Sequence, residues 1–169
     1  MKHWLSRLID YALYAAIAVV ALKFVSRKFS GPSEGARAAA FELPIVNRPG
    51  EQFRLQDHAG KPVLMEVFAS WCGACRRSAP AVAESFQRHH QRGVQFVGVS
   101  VDSSRDEALR VKSDWSLPYD VALDDGRVAK GYGIEVLPTF VLIGKDGTVR
   151  HVATGAVSPS DIDRWLSEL

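Results

Sequence analysis

The stretch PVLMEVFA, residues 62–69, limits the possible folds of this 169-residue chain more than any other. It is apolar almost throughout and lacks the alternation of a half-exposed strand. Such a run is expected of a strand buried on both faces, which requires a layer on each side of its sheet. VQFVGVSVD (94–102) and TFVLIG (139–144) share this character, and YDVALD (119–124) reads as a shorter strand. Between them lie segments with helical spacing: 75–91, with Val82 and Phe86 on one face, RDEALRVKSDW (105–115), and the short GRVAKGYG (126–133). FELPIV (41–46) and QFRLQD (52–57) are strand-like runs around a turn at Pro49–Gly50. KDG (145–147) is a hairpin turn into TVRHVAT (148–154), and Ser158 with Pro159 starts a last helix that runs to Leu169. The order predicts an α/β domain with a mixed central sheet, helices flanking both faces and an extra N-terminal β-hairpin.

The length suits one domain with a true core plus an appendage. With 47% hydrophobic and 24% charged residues the composition is that of a globular protein. The only two cysteines, Cys72 and Cys75, cannot staple a chain of this size, so core packing must hold it. The formal net charge of +2 is unevenly placed. Residues 1–40 carry six Lys/Arg and two acids, which leaves 15 basic and 17 acidic residues for the remainder. The basic character belongs to the N-terminal segment, and a nucleic-acid surface is not supported.

YALYAAIAVVAL (11–22) is apolar and uncharged, and Phe24 and Val25 extend it past Lys23. From Leu8 to Val25 a helix would span about 27 Å, slightly short of a ~30 Å hydrocarbon core. Asp10 and Lys23 sit near its ends, where long side chains can reach headgroups, and Trp4 and the tyrosines suit an interface. Residues 1–29 therefore read as an uncleaved membrane anchor. A cleaved signal sequence is the alternative, with ARAAA (36–40) offering small residues well past the apolar run, and a buried core helix is a third reading. Lys2 and Arg7 on one side face Lys23, Arg27 and Lys28 on the other, so charge does not set the orientation. SGPSEGARAAA (30–40) reads as a linker, which leaves 41–169 as the domain.

ASWCGACRRSAP (69–80) places Cys72 just after a strand and at the start of a helix. The unpaired N–H groups and the dipole at a helix N-terminus stabilise a thiolate there. Cys75 lies one turn in and is expected to be more buried. One thiol is then an accessible nucleophile of low pKa and the other a protected resolving thiol. Arg76 and Arg77 read first as a solvated helix face, because exposed charges act weakly. The rival reading is half of a metal site. A structural zinc site usually takes four ligands. No further cysteine exists, His89 and His90 would point about 100° apart on a helix, and His58 and His151 are isolated, so no metal site is expected.

Glu66 is the oddity of the buried strand, because a carboxylate there is costly unless neutral or paired. It is expected to accept the proton of Cys75, with a pKa raised by burial. The competing reading puts it on a solvent-facing edge. Pro80 falls inside the helix and is expected to kink it. Leu137–Pro138 directly precedes a buried strand, and a cis bond is expected, close to the cysteines, with flanking backbone free to pair with an extended substrate segment.

Trp71-Cys72-Gly73-Ala74-Cys75, together with Glu66, Pro80 and Pro138, resembles the thioredoxin superfamily. The hairpin at 41–57, GKPVLMEVFASWCGAC, YGIEVLPTFVLIGKDGTVRHVATG and the N-terminal apolar segment resemble its TlpA/ResA-like branch of tethered thiol–disulfide oxidoreductases. The resemblance implies a thioredoxin-like fold over 41–169, with Cys72, Cys75 and Glu66 as catalytic residues. It implies a substrate-binding surface at Trp71, Leu137 and Pro138, and structural roles at the site for Gly73, Ala74 and Pro80. It also implies exchange through a mixed disulfide, protein thiol or disulfide substrates, a membrane electron donor or acceptor, and no cofactor beyond the Cys72–Cys75 pair. Cytochrome c maturation is one setting of that branch. Three departures bear on these expectations. Ala74 replaces the proline common between the cysteines, which touches the potential. Ser78 stands where some ResA-like proteins carry a functional Glu, which touches cytochrome c specificity. VQFVGVSVD holds no lysine to pair with the buried acid, which favours a neutral Glu66.

The resulting expectation is a single-pass protein of the inner (cytoplasmic) membrane, its domain facing the periplasm or cell exterior, that reduces protein disulfides. A peroxiredoxin-type peroxidase shares the N-terminal hairpin but, as that family implies, wants a Pro and a Thr or Ser where this chain has Met65 and Ala69. A copper-handling thioredoxin-like module is the rival from another class, since two thiolates favour Cu(I).

Overall fold

The computed structural model describes residues 11, 13–19 and 33–169. The expected anchor, residues 1–29, lies largely outside the described residues. Its described part, residues 11 and 13–19, is helical, and Tyr11, Leu13, Tyr14, Ile17 and Val19 are exposed. Among the described residues no helix is long and apolar enough to cross a membrane.

Residues 33–169 form strands β1 (Glu42–Pro44), β2 (Gln52–Arg54) and β3 (Val63–Phe68), helix α1 (Gly73–His89), strand β4 (Gln95–Ser100) and helix α2 (Arg105–Asp114). Strand β5 (Asp120–Leu123), helix α3 (Arg127–Gly131), strands β6 (Thr139–Ile143) and β7 (Val149–Thr154), and helix α4 (Pro159–Ser167) follow. The central sheet has the order β5-β4-β3-β6-β7, with β3, β4 and β5 parallel and β6 and β7 antiparallel. The mixed α/β architecture expected from the apolar runs is the one observed. Every residue of β3 is buried, as its unbroken apolar run requires.

Alternation along β3 sorts the core into two layers. Leu64 and Phe68 join Val82 of α1, Val111 of α2 and Trp165 of α4 on one face. Met65 and Val67 join Leu43 of β1, Phe53 of β2 and Val128 of α3 on the other. The N-terminal hairpin thus covers the second face, and it ties to β5 where Val46 N–H donates to the Val121 carbonyl at 2.8 Å. QFRLQD is strand only over Gln52–Arg54, because the chain tightens into a 3₁₀ turn at Leu55–His58. The described part of the expected linker, residues 33–40, also differs from a free linker. Gly35 N–H donates to the Val149 carbonyl at 2.8 Å, Ala38 N–H donates to the Gly147 carbonyl at 2.9 Å, and the Glu34 carboxylate meets His151 Nδ1 at 2.9 Å. Residues 34–38 therefore cover the outer edge of β7 and satisfy backbone groups that an edge strand leaves open.

Helix ends follow their caps. Ser104 and Glu107 form a reciprocal capping box that starts α2, and Ser158 with Asp161 does the same for α4, with Pro159 in its first turn. Pro80 lies within α1, which runs as one helix from Gly73 to His89.

Candidate active site

Because β3 and β4 run parallel, Phe68 and Ser100 finish at the same end of the sheet. The chain leaves β3 there and turns into α1. Cys72 N–H donates to the Ala69 carbonyl at 3.0 Å, and Cys72 is the N-cap of the helix. Its Sγ accepts the Cys75 N–H at 3.1 Å, so the sulfur occupies the place a Ser or Asp oxygen takes in an ordinary cap. The two sulfurs are bonded, with the Cα atoms 5.3 Å apart. Cys72 keeps 7% of its surface exposed and Cys75 none, the division of accessible and sealed thiol expected from their order.

The turn carrying Cys72 is clamped from β4. Asp102, just past that strand and buried, accepts the Ser70 N–H at 2.9 and 3.1 Å and the Ser70 hydroxyl at 2.8 Å. The Ser100 hydroxyl donates to its other oxygen at 2.7 Å. One carboxylate thus fixes the backbone two residues before the nucleophile.

Glu66 lies in the middle of β3, paired with Gly98 of β4 and Phe140 of β6. It is 3% exposed, which excludes the solvent-edge reading. Between Leu64 and Phe68 it points to the face that holds Cys75 and α1. Burial pushes its carboxyl up to about 7, while a hydrogen bond from Tyr119 pulls it down. The Tyr119 hydroxyl donates to Oε2 at 2.9 Å, and Oε1 has no hydrogen-bond partner among the described residues. Burial, with the Glu66 charge and hydrogen bond acting in the same direction, holds the Tyr119 phenol well above its ordinary range, so it stays a donor.

Sequence reasoning found no partner for Glu66 and missed Tyr119. Two features hold the phenol in place. Lys112 Nζ donates to the Leu117 and Tyr119 carbonyls at 2.8 and 2.5 Å, fixing the turn before β5. Gly98 leaves room for the ring: a Cβ there would stand 2.8 Å from a Phe68 ring carbon and 3.3 Å from one of Tyr119. The usable signal was a buried carboxylate that needs a donor, with YDVALD supplying a phenol at the head of a neighbouring strand. Asp102 was missed as well. Its signal was an acid placed just beyond a buried strand.

Val67 of β3 pairs with Thr139, the first residue of β6, which sets Pro138 at the cysteine end of the sheet. The Leu137–Pro138 peptide is cis, as expected. Pro138 is buried, and its carbonyl accepts the Gly155 N–H at 2.9 Å. Leu137 is half-buried and packs on the cluster that contains both cysteines. Trp71 and Gly73 are exposed and Ala74 half-buried. No cluster of three or more potential metal-ligating side chains occurs among the described residues.

Two bonded sulfurs, one capping a helix and the other sealed beneath it, suit the trading of disulfides, and a thioredoxin-like sheet carries them. The class is thiol–disulfide oxidoreductase. Residues 35–152 match the AhpC/TSA family, and the chain belongs to it. It is 31% identical over 136 residues to thiol-disulfide oxidoreductase ResA of Bacillus subtilis, covering 80% of this chain and 75% of that one. It is 25% identical over 169 residues to the thioredoxin-like protein YneN of the same organism, covering 98% of each. A crystal structure from Chlorobium tepidum, provisionally assigned as thiol:disulfide interchange protein DsbE, superposes with a TM-score of 0.73 at 28% identity, covering 80% of this chain and 96% of that one.

Proposed function

We propose that this chain is a membrane-tethered, extracytoplasmic reductase of protein disulfides. The observation that carries the exchange chemistry is the Cys72 sulfur at the cap of α1, accepting the Cys75 N–H at 3.1 Å. That hydrogen bond and the helix dipole stabilise a Cys72 thiolate in the reduced protein. The thiolate attacks one sulfur of a substrate disulfide, forming a mixed disulfide and releasing a substrate thiolate that takes up a proton. Cys75 gives its proton to Glu66 on the same face, and its thiolate attacks the Cys72 sulfur, expelling the second substrate thiolate, which takes up the proton that Glu66 gives back. The substrate leaves as a dithiol with two electrons and two protons, and the Cys72–Cys75 disulfide re-forms. No cofactor is needed beyond the pair itself.

The reductase direction is supported by the burial of Cys75. A sealed thiol over a carboxyl that can become charged disfavours the reduced pair relative to the neutral disulfide, which makes the pair a better donor. With residues 1–29 as an anchor, the disulfide chemistry of the domain favours the N-terminus inside and the domain outside the cytoplasm, where protein disulfides persist, with a membrane protein returning electrons to the pair.

The test is reduction of insulin by the reduced full-length chain. Turnover is expected. Tight Cu(I) binding with no reduction of insulin or of a small disulfide would favour the copper-handling module instead. A C-terminal reporter active only in the cytoplasm would refute the orientation.

A further inference from the structure

Helix α1 begins against electrostatic convention. The positive end of a helix dipole favours acids and disfavours cations. Helices α2 and α4 carry acids in their first turns, Asp106 and Glu107 in one and Asp161 in the other, although α2 opens on Arg105; the short α3 opens on Arg127 and, like α1, has none. The first turn of α1 holds no acid, and Arg76 and Arg77 follow it directly. Both are exposed. Neither forms a salt bridge among the described residues, and the same holds for Arg37, Arg92, Arg105 and Arg110, whereas Arg48, Arg54, Arg88, Arg127, Arg150 and Arg164 pair with carboxylates.

Both residues lie in the first two turns of α1, directly after Cys75 in sequence. Arg76 is one helical turn from Cys72, and its N–H donates to the Cys72 carbonyl at 3.1 Å. Arg77 folds back over the spacer, with Nη1 3.7 Å from where a Cβ on Gly73 would stand. Two large apolar side chains are exposed at the same end of the sheet, Trp71 at 73% and Val136 at 54%. Glu135, beside Val136 and three residues before Pro138, is an exposed acid. The mouth at the cysteine end therefore presents apolar surface at Trp71 and Val136, cations on α1 and an acid at Glu135.

We infer that this mouth selects disulfides in acidic, extended segments, with substrate carboxylates meeting Arg76 and Arg77 while flanking apolar groups rest on Trp71 and Val136. The inference rests on the oxidoreductase reading and names its substrate class. Complementary charge of this kind acts mainly on encounter and is weakened by salt. The chemistry is unchanged: two electrons and two protons pass from the Cys72/Cys75 dithiol to the peptide disulfide.

The experiment uses the reduced full-length chain in single turnovers. Its substrates are three peptide disulfides of equal length, flanked by Asp, Asn or Lys, and uncharged hydroxyethyl disulfide. At low ionic strength the Asp peptide should react on the order of tenfold faster than the Lys peptide. The ratio should collapse toward unity at high ionic strength and in the Arg76→Ser/Arg77→Ser variant. Taking the ratio cancels any effect of the arginines on the Cys72 thiolate. A wild-type ratio near unity, or a ratio unchanged in the double variant, would overturn the inference. A uniform slowing of all four substrates in that variant would also overturn it, placing the arginines on the thiolate alone. If even hydroxyethyl disulfide fails to react, the oxidoreductase reading falls and takes this one with it.

Discussion

Glu66 and Tyr119 are the residues on which the rate should turn. As a proton acceptor Glu66 must be ionised, so the resolving step should speed up as pH rises through about 7. Glu66→Gln should remove that limb and slow exchange by about tenfold or more above it. Tyr119→Phe should move the limb to higher pH, because the lost hydrogen bond is the contact that lowers the Glu66 pKa. Stopped-flow traces across about pH 6–9 separate a positioning role for Tyr119 from a merely structural one, which would leave the limb in place. The same group sets a stability slope. A carboxyl whose pKa is raised on folding contributes stability at low pH and loses it as pH rises through the folded pKa. From the rise to about 7, the wild type should lose up to about 3 kcal/mol relative to Glu66→Gln between about pH 4.5 and 7, and little more above it. Urea unfolding of the oxidised protein at both ends of that range measures the difference.

At the scale of elements, the turn between β3 and α1 depends on a strand it is not continuous with. Asp102, past the end of β4, accepts the Ser70 N–H and hydroxyl as well as the Ser100 hydroxyl. Asp102→Ala leaves those donors without their partner, at a cost of about 1–3 kcal/mol for each one that stays buried. The expected outcome is a lower unfolding midpoint together with slower attack by Cys72, read by denaturation and by single turnover. A stability loss with an unchanged rate would mean that the clamp does not position the nucleophile. The sequence was informative about elements where burial decides them. β3, β4 and β6 are covered on both faces, so their apolar runs showed through, and Cys72 at a strand end marked the helix start. The serine cap of α4 was legible from Ser158–Pro159. What stayed hidden depends on contacts between residues distant in the chain. The Tyr119–Glu66 bond spans 53 positions and the Ser70–Asp102 clamp 32, and neither leaves a periodic trace. Residues 34–38 were hidden for another reason. They dock through backbone groups, so small polar residues that resemble a linker suffice to cover the β7 edge.

On the scale of the whole molecule, the sheet places chemistry at one end. The parallel strands β3 and β4 finish there, and β6 begins there just after Pro138, so three separate chain segments meet around the cysteines. The charge of the chain is likewise segregated, with the basic excess in residues 1–40 and a slight acidic excess in the rest. Against that background Arg76 and Arg77 put positive charge beside the cysteines, in a domain that is slightly acidic as a whole.

The central claim is that Cys72 and Cys75 form a reversible pair that donates electrons. Equilibrating the full-length chain against glutathione redox buffers and trapping the thiols tests it most directly. The account predicts one two-electron transition at a strongly negative potential, below about −200 mV. A pair that poises near about −120 mV would be a disulfide donor and would contradict the reductase reading, and a disulfide that never opens in the titration would contradict the exchange chemistry itself.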